Sequence, residues 1–152
     1  MHESDRSAMD RHLPSRRLRH DELTRAVIGA FYDVYNALGF GFLEQVYVKA
    51  LAVALQRAGL GVEREQQYDV YFRDVVVGRY RVDLLVHQSV LVEVKATHAL
   101  VDADRRQVLN SLRCTGIEVA LLLHFGPVAR FERIVLRRTA STRRDVADPD
   151  AQ

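Results

Sequence analysis

A run of three candidate β-strands in the middle of the chain constrains its fold more than any other part of the sequence. The strands are predicted at residues 63–72, 75–86 and 90–96, which are rich in Val, Leu and Tyr. Turns of two and three residues, Arg73-Asp74 and His87-Gln88-Ser89, separate them. Connections this short join neighbouring antiparallel strands, so the segment is predicted to form a meander.

The third strand, VLVEVKA, is apolar except for Glu93 and Lys95. A three-residue turn places Val86 opposite Val90. Asp83 then lies opposite Glu93, about 5 Å away on the same face of the sheet. Lys95 projects from that face as well, because side chains two residues apart in a strand point the same way. A turn of two or four residues would instead put the two carboxylates on opposite faces.

Two carboxylates that face each other in a sheet need a nearby cation. Like charges repel, and burial of such a pair raises the pKa of one of them. Lys95 supplies one positive charge, and a divalent metal could supply two more. Among the 22 Lys and Arg residues, only Lys49 and Lys95 are Lys. In a chain this rich in Arg, a position that needed only a positive charge would be expected to carry Arg. An ammonium differs from a guanidinium in being a compact charge that can sit beside a water molecule, which favours a chemical role for Lys95.

Two amphipathic helices are predicted before the strands. Apolar residues recur at three- and four-residue steps from Asp21 to Gly39, and a second helix runs from about Leu43 to Ala58. Glu44 falls within the apolar stripe of the second helix. A carboxylate directed at the core needs hydrogen bonds or cations, which makes Glu44 a candidate site residue. The alternative is that Glu44 only interacts with the positive end of the helix dipole.

One further helix and two strands are predicted after the meander. The predicted segments are a helix at residues 103–114, a buried strand at 117–123 and an edge strand at 131–136. A strand-helix-strand crossover that follows an antiparallel hairpin produces a mixed sheet with helices on its faces. The predicted fold class is therefore α/β, with the element order ααβββαββ.

Length and composition predict one domain. A chain of 152 residues with 48% hydrophobic content can bury a sizeable core. We predict this domain at residues 21–137, between a basic tail at 1–20 and a tail at 138–152, both expected to be disordered. The tails could alternatively hold nucleic acid electrostatically. The single Cys114 cannot form a disulfide within the chain, which indicates a reducing compartment. The sequence shows no secretory signal segment, and no apolar run approaches the roughly 20 residues of a membrane helix. The expected location is therefore the cytoplasm.

Several of these features together resemble a known group of nucleases. Asp83 and, ten residues later, the tripeptide EVK lie on consecutive predicted strands, between helical Glu44 and helical Gln107. This arrangement resembles the PD-(D/E)XK nuclease superfamily. Residues 41–47, GFLEQVY, are similar to the GxxExxY motif of one family within that superfamily, and the resemblance extends over residues 23–136.

The resemblance implies a restriction-endonuclease-like core that hydrolyses phosphodiester bonds with a divalent metal. Asp83 and Glu93 would bind Mg²⁺, a hard ion that prefers carboxylate oxygens. Glu44 and the backbone carbonyl of Val94 would complete the protein ligands, and Mn²⁺ could substitute for Mg²⁺.

The same resemblance implies catalytic roles. Lys95 would orient or help to deprotonate the attacking water, and Gln107 would position water or phosphate. The implied catalytic set is Glu44, Asp83, Glu93, Lys95 and Gln107.

The expected partner is nucleic acid, with DNA favoured over RNA and a homodimer left open. Five arginines near the expected site could contact phosphates, although each taken singly is more readily explained as a surface charge. They are Arg79, Arg81, Arg105, Arg106 and Arg113. The alternative function is a catalytically silent nuclease-fold protein that binds nucleic acid or assists assembly. Retention of the whole acidic set favours the enzyme, because a binding module has no need of carboxylates that repel each other.

Overall fold

The computed structural model describes residues 16–137 of the chain. The elements in chain order are α1 (Arg16–Leu38), α2 (Glu44–Arg57), β1 (Val62–Phe72), β2 (Val75–Val86), β3 (Val90–Lys95), α3 (Asp102–Thr115), β4 (Val119–Phe125) and β5 (Ala129–Val135). This is the predicted order ααβββαββ, and the predicted α/β fold class is confirmed.

The strands form one mixed sheet in the order β1-β2-β3-β4-β5. β3 and β4 run parallel, and the other neighbouring pairs are antiparallel. α3 connects the two parallel strands, because parallel neighbours need a long crossover between them. The sheet therefore contains both the predicted meander and the predicted crossover.

The turn between β2 and β3 sets the register of the sheet. His87 and Gln88 both have positive φ, 48° and 52°, which is typical of a tight hairpin turn. The backbone nitrogen of Ser89 donates to the carbonyl oxygen of Val86 at 3.0 Å. The loop thus contains three residues, and Val86 pairs with Val90 as the sequence predicts.

Separate apolar cores cover the two faces of the sheet. Val92 of β3 packs in the larger core with Phe31 of α1 and Leu51 of α2. Leu91 of β3 packs in the smaller core with Leu112 of α3. Successive side chains of a strand point to opposite faces, so β3 is buried on both sides and reads as a nearly continuous apolar run.

The first helix begins earlier than predicted. The sequence predicts a tail over residues 1–20, whereas α1 begins at Arg16, so residues 16–20 are helical. Arg and Leu, which make up most of this segment, are good helix formers and need no apolar face to continue a helix. The rest of that tail and the C-terminal tail at 138–152 lie outside the described residues.

The last two strands are also displaced from their predicted positions. β4 is predicted at residues 117–123 and β5 at 131–136, so β4 begins two residues late and β5 two residues early. Gly116 ends α3 with a left-handed φ of 76°. The backbone nitrogen of Ile117 then donates to Oγ1 of Thr115 at 3.2 Å, and this local bond keeps Ile117 out of the strand. Among the described helices, none has the length and apolarity needed to cross a bilayer.

Candidate functional site

β2 and β3 separate next to Asp83. Their ladder of paired residues runs from Val86 and Val90 as far as Leu84 and Val92. Beyond it, Oδ2 of Asp83 accepts a hydrogen bond of 2.8 Å from the backbone nitrogen of Val94. Because the side chain takes up a donor on the neighbouring strand, the carboxylate is fixed between the two strands.

Glu93 lies beside Asp83, and the two side chains are hydrogen-bonded to each other. Only 3% of Glu93 is exposed. Burial, followed by the charge of Asp83, raises the pKa of Glu93 to about 9. Burial also raises the pKa of Asp83, although the bond from Val94 opposes this shift. Near neutral pH, the two carboxyl groups therefore share one proton.

One oxygen of Glu93 lacks a protein partner. Within the described part of the chain, Oε1 of Glu93 is buried and accepts no hydrogen bond. A buried polar atom of this kind is uncommon in folded proteins and indicates an unfilled role, such as binding water or an ion.

Lys95 connects this strand to the crossover helix. Its Nζ donates to Oε1 of Gln107 at 2.9 Å and lies 3.9 Å from Oδ1 of Asp104. The positive charge of Lys95 lowers the pKa values of both Asp83 and Glu93. The structure thus brings Lys95 and Gln107 together beside the carboxylate pair.

Glu44 is the first residue of α2 and is half-buried. Burial raises its pKa, and the charge of Asp83 raises it further, while that of Lys95 lowers it. Glu44 therefore belongs to the same electrostatic cluster, hereafter the acidic cluster: Glu44, Asp83 and Glu93. Its place in the first turn of the helix is also the one that an interaction with the helix dipole requires, so both predicted roles are compatible with its position.

The donor set of the acidic cluster fits a hard divalent cation. Carboxylate oxygens are the ligands that Mg²⁺ prefers, and Oε1 of Glu93 is available. Over residues 16–137, however, no three Asp, Glu, His or Cys side chains converge closely enough to hold a metal. The contact between Asp83 and Glu93 supplies two ligands, and Glu44 would have to move toward them to supply a third.

Most of the five arginines are engaged elsewhere. Arg105 binds Glu132 at 2.6 and 2.7 Å, and Arg79 binds Asp69 at 3.2 Å. Arg113 donates to an Asn110 oxygen at 3.2 Å. By contrast, the charge of Arg81 lowers the pKa of Asp83, which places this exposed guanidinium near the acidic cluster. Arg106 is exposed on α3, and its role stays a prediction.

Sequence reasoning missed two side chains that organise the site. Asp104, the third residue of α3, accepts a bond of 2.9 Å from the backbone nitrogen of Val101 and also faces Lys95. An acidic residue three positions into a helix is a recognisable capping signal. The other is the hydroxyl of Tyr47, which contacts the backbone of Gly39 and Phe42 just before Glu44.

His124 has a structural role close to the site. It is paired across the sheet with Lys95, and its Nε2 donates to the carbonyl oxygen of Thr97 at 2.7 Å. The ring lies directly over Gly126, where an added Cβ would be 2.4 Å from a ring carbon. His124 therefore anchors the chain that leaves β3.

Comparisons with known proteins agree with this architecture. A model of the PD-(D/E)XK nuclease superfamily matches residues 21–137. The crystal structure of SSO0001 has a similar fold, with a TM-score of 0.52 and 18% sequence identity. That match covers 84% of this chain and 64% of SSO0001, and at this identity it shows the fold alone. No curated protein matches the chain.

Proposed function

The chain belongs to the PD-(D/E)XK nuclease superfamily, and we therefore propose that it is a Mg²⁺-dependent nuclease that hydrolyses phosphodiester bonds, in DNA rather than RNA. One observation carries the proposal. Asp83 and Glu93 are in contact on adjacent strands, with a buried Glu93 oxygen that has no partner among the described residues and with Lys95 close by.

The proposed metal ligands are Asp83, Glu93, Glu44 and the backbone carbonyl of Val94. When bound, Mg²⁺ or Mn²⁺ would supply positive charge that stabilises the charge developing on the phosphate and acidifies the attacking water. Glu93 must lose its proton to become a ligand, because its pKa without metal is about 9. Metal affinity should therefore increase with pH.

Lys95 and Gln107 are proposed to act on the nucleophile and the phosphate. The ammonium of Lys95 can hold a water molecule near the phosphate and offset charge there. Gln107 fixes the ammonium through its 2.9 Å bond, and its amide nitrogen remains a donor for water or phosphate. In this proposal, Gln107 therefore positions Lys95 as well as the substrate.

Cleavage assays with matched variants test the proposal. Supercoiled, linear and single-stranded DNA and RNA would be incubated with Mg²⁺, with Mn²⁺ or with chelator. Asp83→Asn and Lys95→Met should reduce metal-dependent cleavage by at least about a hundredfold. The controls are Asp69→Asn on β1 and Lys49→Met, which changes the other Lys of the chain; both should cleave like wild type. Metal-independent cleavage, or equal cleavage by all variants, would refute the proposal.

A catalytically silent binding or assembly module is the second candidate function. The absence of three converging ligand side chains in residues 16–137 favours it. Such a module would bind nucleic acid without cutting it under any metal condition. Wild-type binding without cleavage in the same assays would therefore select this alternative.

The narrower family and the context of the protein are further proposals. Assignment to the GxxExxY family is supported by residues 41–47, in which Tyr47 contacts the turn that leads into Glu44. We propose a nuclease domain at 21–137 with tails at 1–20 and 138–152, in a cytoplasmic protein. Exposed apolar side chains at the tip of the β1-β2 hairpin, such as Phe72, make a homodimer worth testing by light scattering.

A further inference from the structure

The loop between α1 and α2 exposes large apolar side chains next to the acidic cluster. This aromatic loop, residues 39–43, has the sequence GFGFL. Phe40 and Phe42 are each 49% exposed and Leu43 is 80% exposed. Glu44 follows directly, so the Cα of Phe42 lies within about 7 Å of the Cα of this acidic residue.

Tyr47 holds the aromatic loop in one conformation. Its hydroxyl donates to the carbonyl oxygen of Gly39 at 2.6 Å and accepts from the backbone nitrogen of Phe42 at 3.2 Å. The Tyr47 ring is buried and stacked on Phe125 at a centroid distance of 4.1 Å. Gly41 has a φ of 115°, a conformation that other residues rarely adopt. The ring of Phe42 packs edge-on against that of Tyr47 at a centroid distance of 6.2 Å, which leaves about half of its side chain exposed beside that of Phe40.

We propose that the aromatic loop binds unpaired bases beside the scissile phosphate, so that the substrate is single-stranded nucleic acid or a duplex with an unpaired segment. This inference rests on the proposed nuclease function of the same site. Phenyl rings stack on the faces of bases, and those faces are free only where the strand is unpaired.

The distribution of charge supports a nucleic-acid strand as the occupant. The aromatic loop itself carries no charge. Arg81 and Lys95 supply positive charge beside Asp83, where a phosphate would lie. A single strand has the complementary pattern, because its phosphates are charged and its exposed bases are flat and apolar on their faces.

Equilibrium binding in chelator separates this inference from catalysis. The full chain would be titrated into fluorescein-labelled single-stranded DNA, an abasic strand of the same length and a blunt duplex. Wild type should bind the single strand at least about tenfold more tightly than the abasic strand. Phe42→Leu and Phe40→Leu should each remove most of that difference. Phe72→Leu is the matched control, since this phenyl is 61% exposed at the distant hairpin tip and should not affect binding.

Tyr47→Phe tests the role of the fixed loop. It keeps the ring packed on Phe125 and removes only the hydroxyl that contacts Gly39 and Phe42. We expect weaker binding of the single strand with unchanged binding of the abasic strand. Tyr71→Phe, at an exposed position, is its control.

Three results would overturn the inference. They are equal affinity for normal and abasic strands, equal effects of Phe42→Leu and Phe72→Leu, and a change of oligomeric mass in Phe42→Leu without a change in DNA binding. The last result would identify the loop as a self-association surface. Cleavage assays in Mg²⁺ report separately on the proposed function, so a protein that stacks bases but never cuts refutes only that function.

Discussion

Oδ2 of Asp83 lies 2.8 Å from the backbone nitrogen of Val94, at the point where the ladder between β2 and β3 ends. One carboxylate thus satisfies a strand donor and also faces Glu93. The same side chain thus has a structural role and a proposed role as metal ligand, and suitable substitutions can separate the two.

Asp83→Ala should destabilise the metal-free protein by about 1–3 kcal/mol, because it leaves the buried Val94 nitrogen without its acceptor. Asp83→Asn should be much closer to wild type, since its amide oxygen can accept the same bond. Urea denaturation in chelator measures both. Asp69→Ala, which removes only an exposed ion pair with Arg79, should change stability by less than about 1 kcal/mol. Equal stability of the two Asp83 variants would contradict the structural role.

Glu93 should make the metal-free protein less stable as pH rises. Its folded pKa of about 9 lies well above 4.5, the ordinary value of a Glu side chain. Between pH 4.5 and about 9, the folded protein keeps a proton that the unfolded chain has released. The stability that this proton contributes is fully present below pH 4.5 and is lost as the pH rises through about 9. In this range, the free energy of unfolding should fall by up to about 1.4 kcal/mol per pH unit because of Glu93.

Denaturation in chelator across this pH range measures the slope. Glu93→Gln cannot ionise and should flatten it, while Glu63→Gln on β1 should leave it unchanged. Saturating Mg²⁺ should also reduce the slope in wild type, since a bound cation favours the ionised form. A wild-type protein whose stability rises with pH in chelator would disprove the assignment.

Gly126→Ala should destabilise the fold by about 1–3 kcal/mol. The new Cβ would lie 2.4 Å from one ring carbon of His124 and 2.7 Å from its Nε2, so the ring must leave the carbonyl of Thr97. Gly29→Ala, in the interior of helix α1, is the matched control. Apart from the backbone of its own helix, no atom lies within 4 Å of a Cβ added there. That change should stabilise by about 0.5–1 kcal/mol. Thermal unfolding of both proteins checks the prediction, which fails if Gly126→Ala is neutral.

The central part of the site could be predicted because turn length determines strand register. The three-residue turn between β2 and β3 determines which residues of the two strands face each other. That pairing puts the side chains of Asp83 and Glu93 on the same face of the sheet. The alternation of side chains along β3 then put Lys95 on the same side. These relationships depend on counting along the chain and not on how distant elements pack.

Other contacts could not be predicted, because they depend on packing or on local geometry. The hydroxyl of Tyr47 reaches Gly39 only after the loop turns back on α2, and no periodicity signals that return. The interaction of Asp104 with Lys95 requires α3 to lie at one particular place on the sheet. The late start of β4 follows from a single bond at Ile117, which apolar pattern does not reveal.

The bond between Lys95 and Gln107 makes the crossover helix part of the proposed active site. Because α3 is held on the sheet by apolar residues such as Val108 and Leu112, their packing determines where the ammonium sits. A small change in that core would shift the amine of Lys95 without touching any charged group. The turnover rate of the proposed nuclease is therefore expected to report on the interior of the fold, and the proposed activity could be tuned by exchanging one buried aliphatic residue for another.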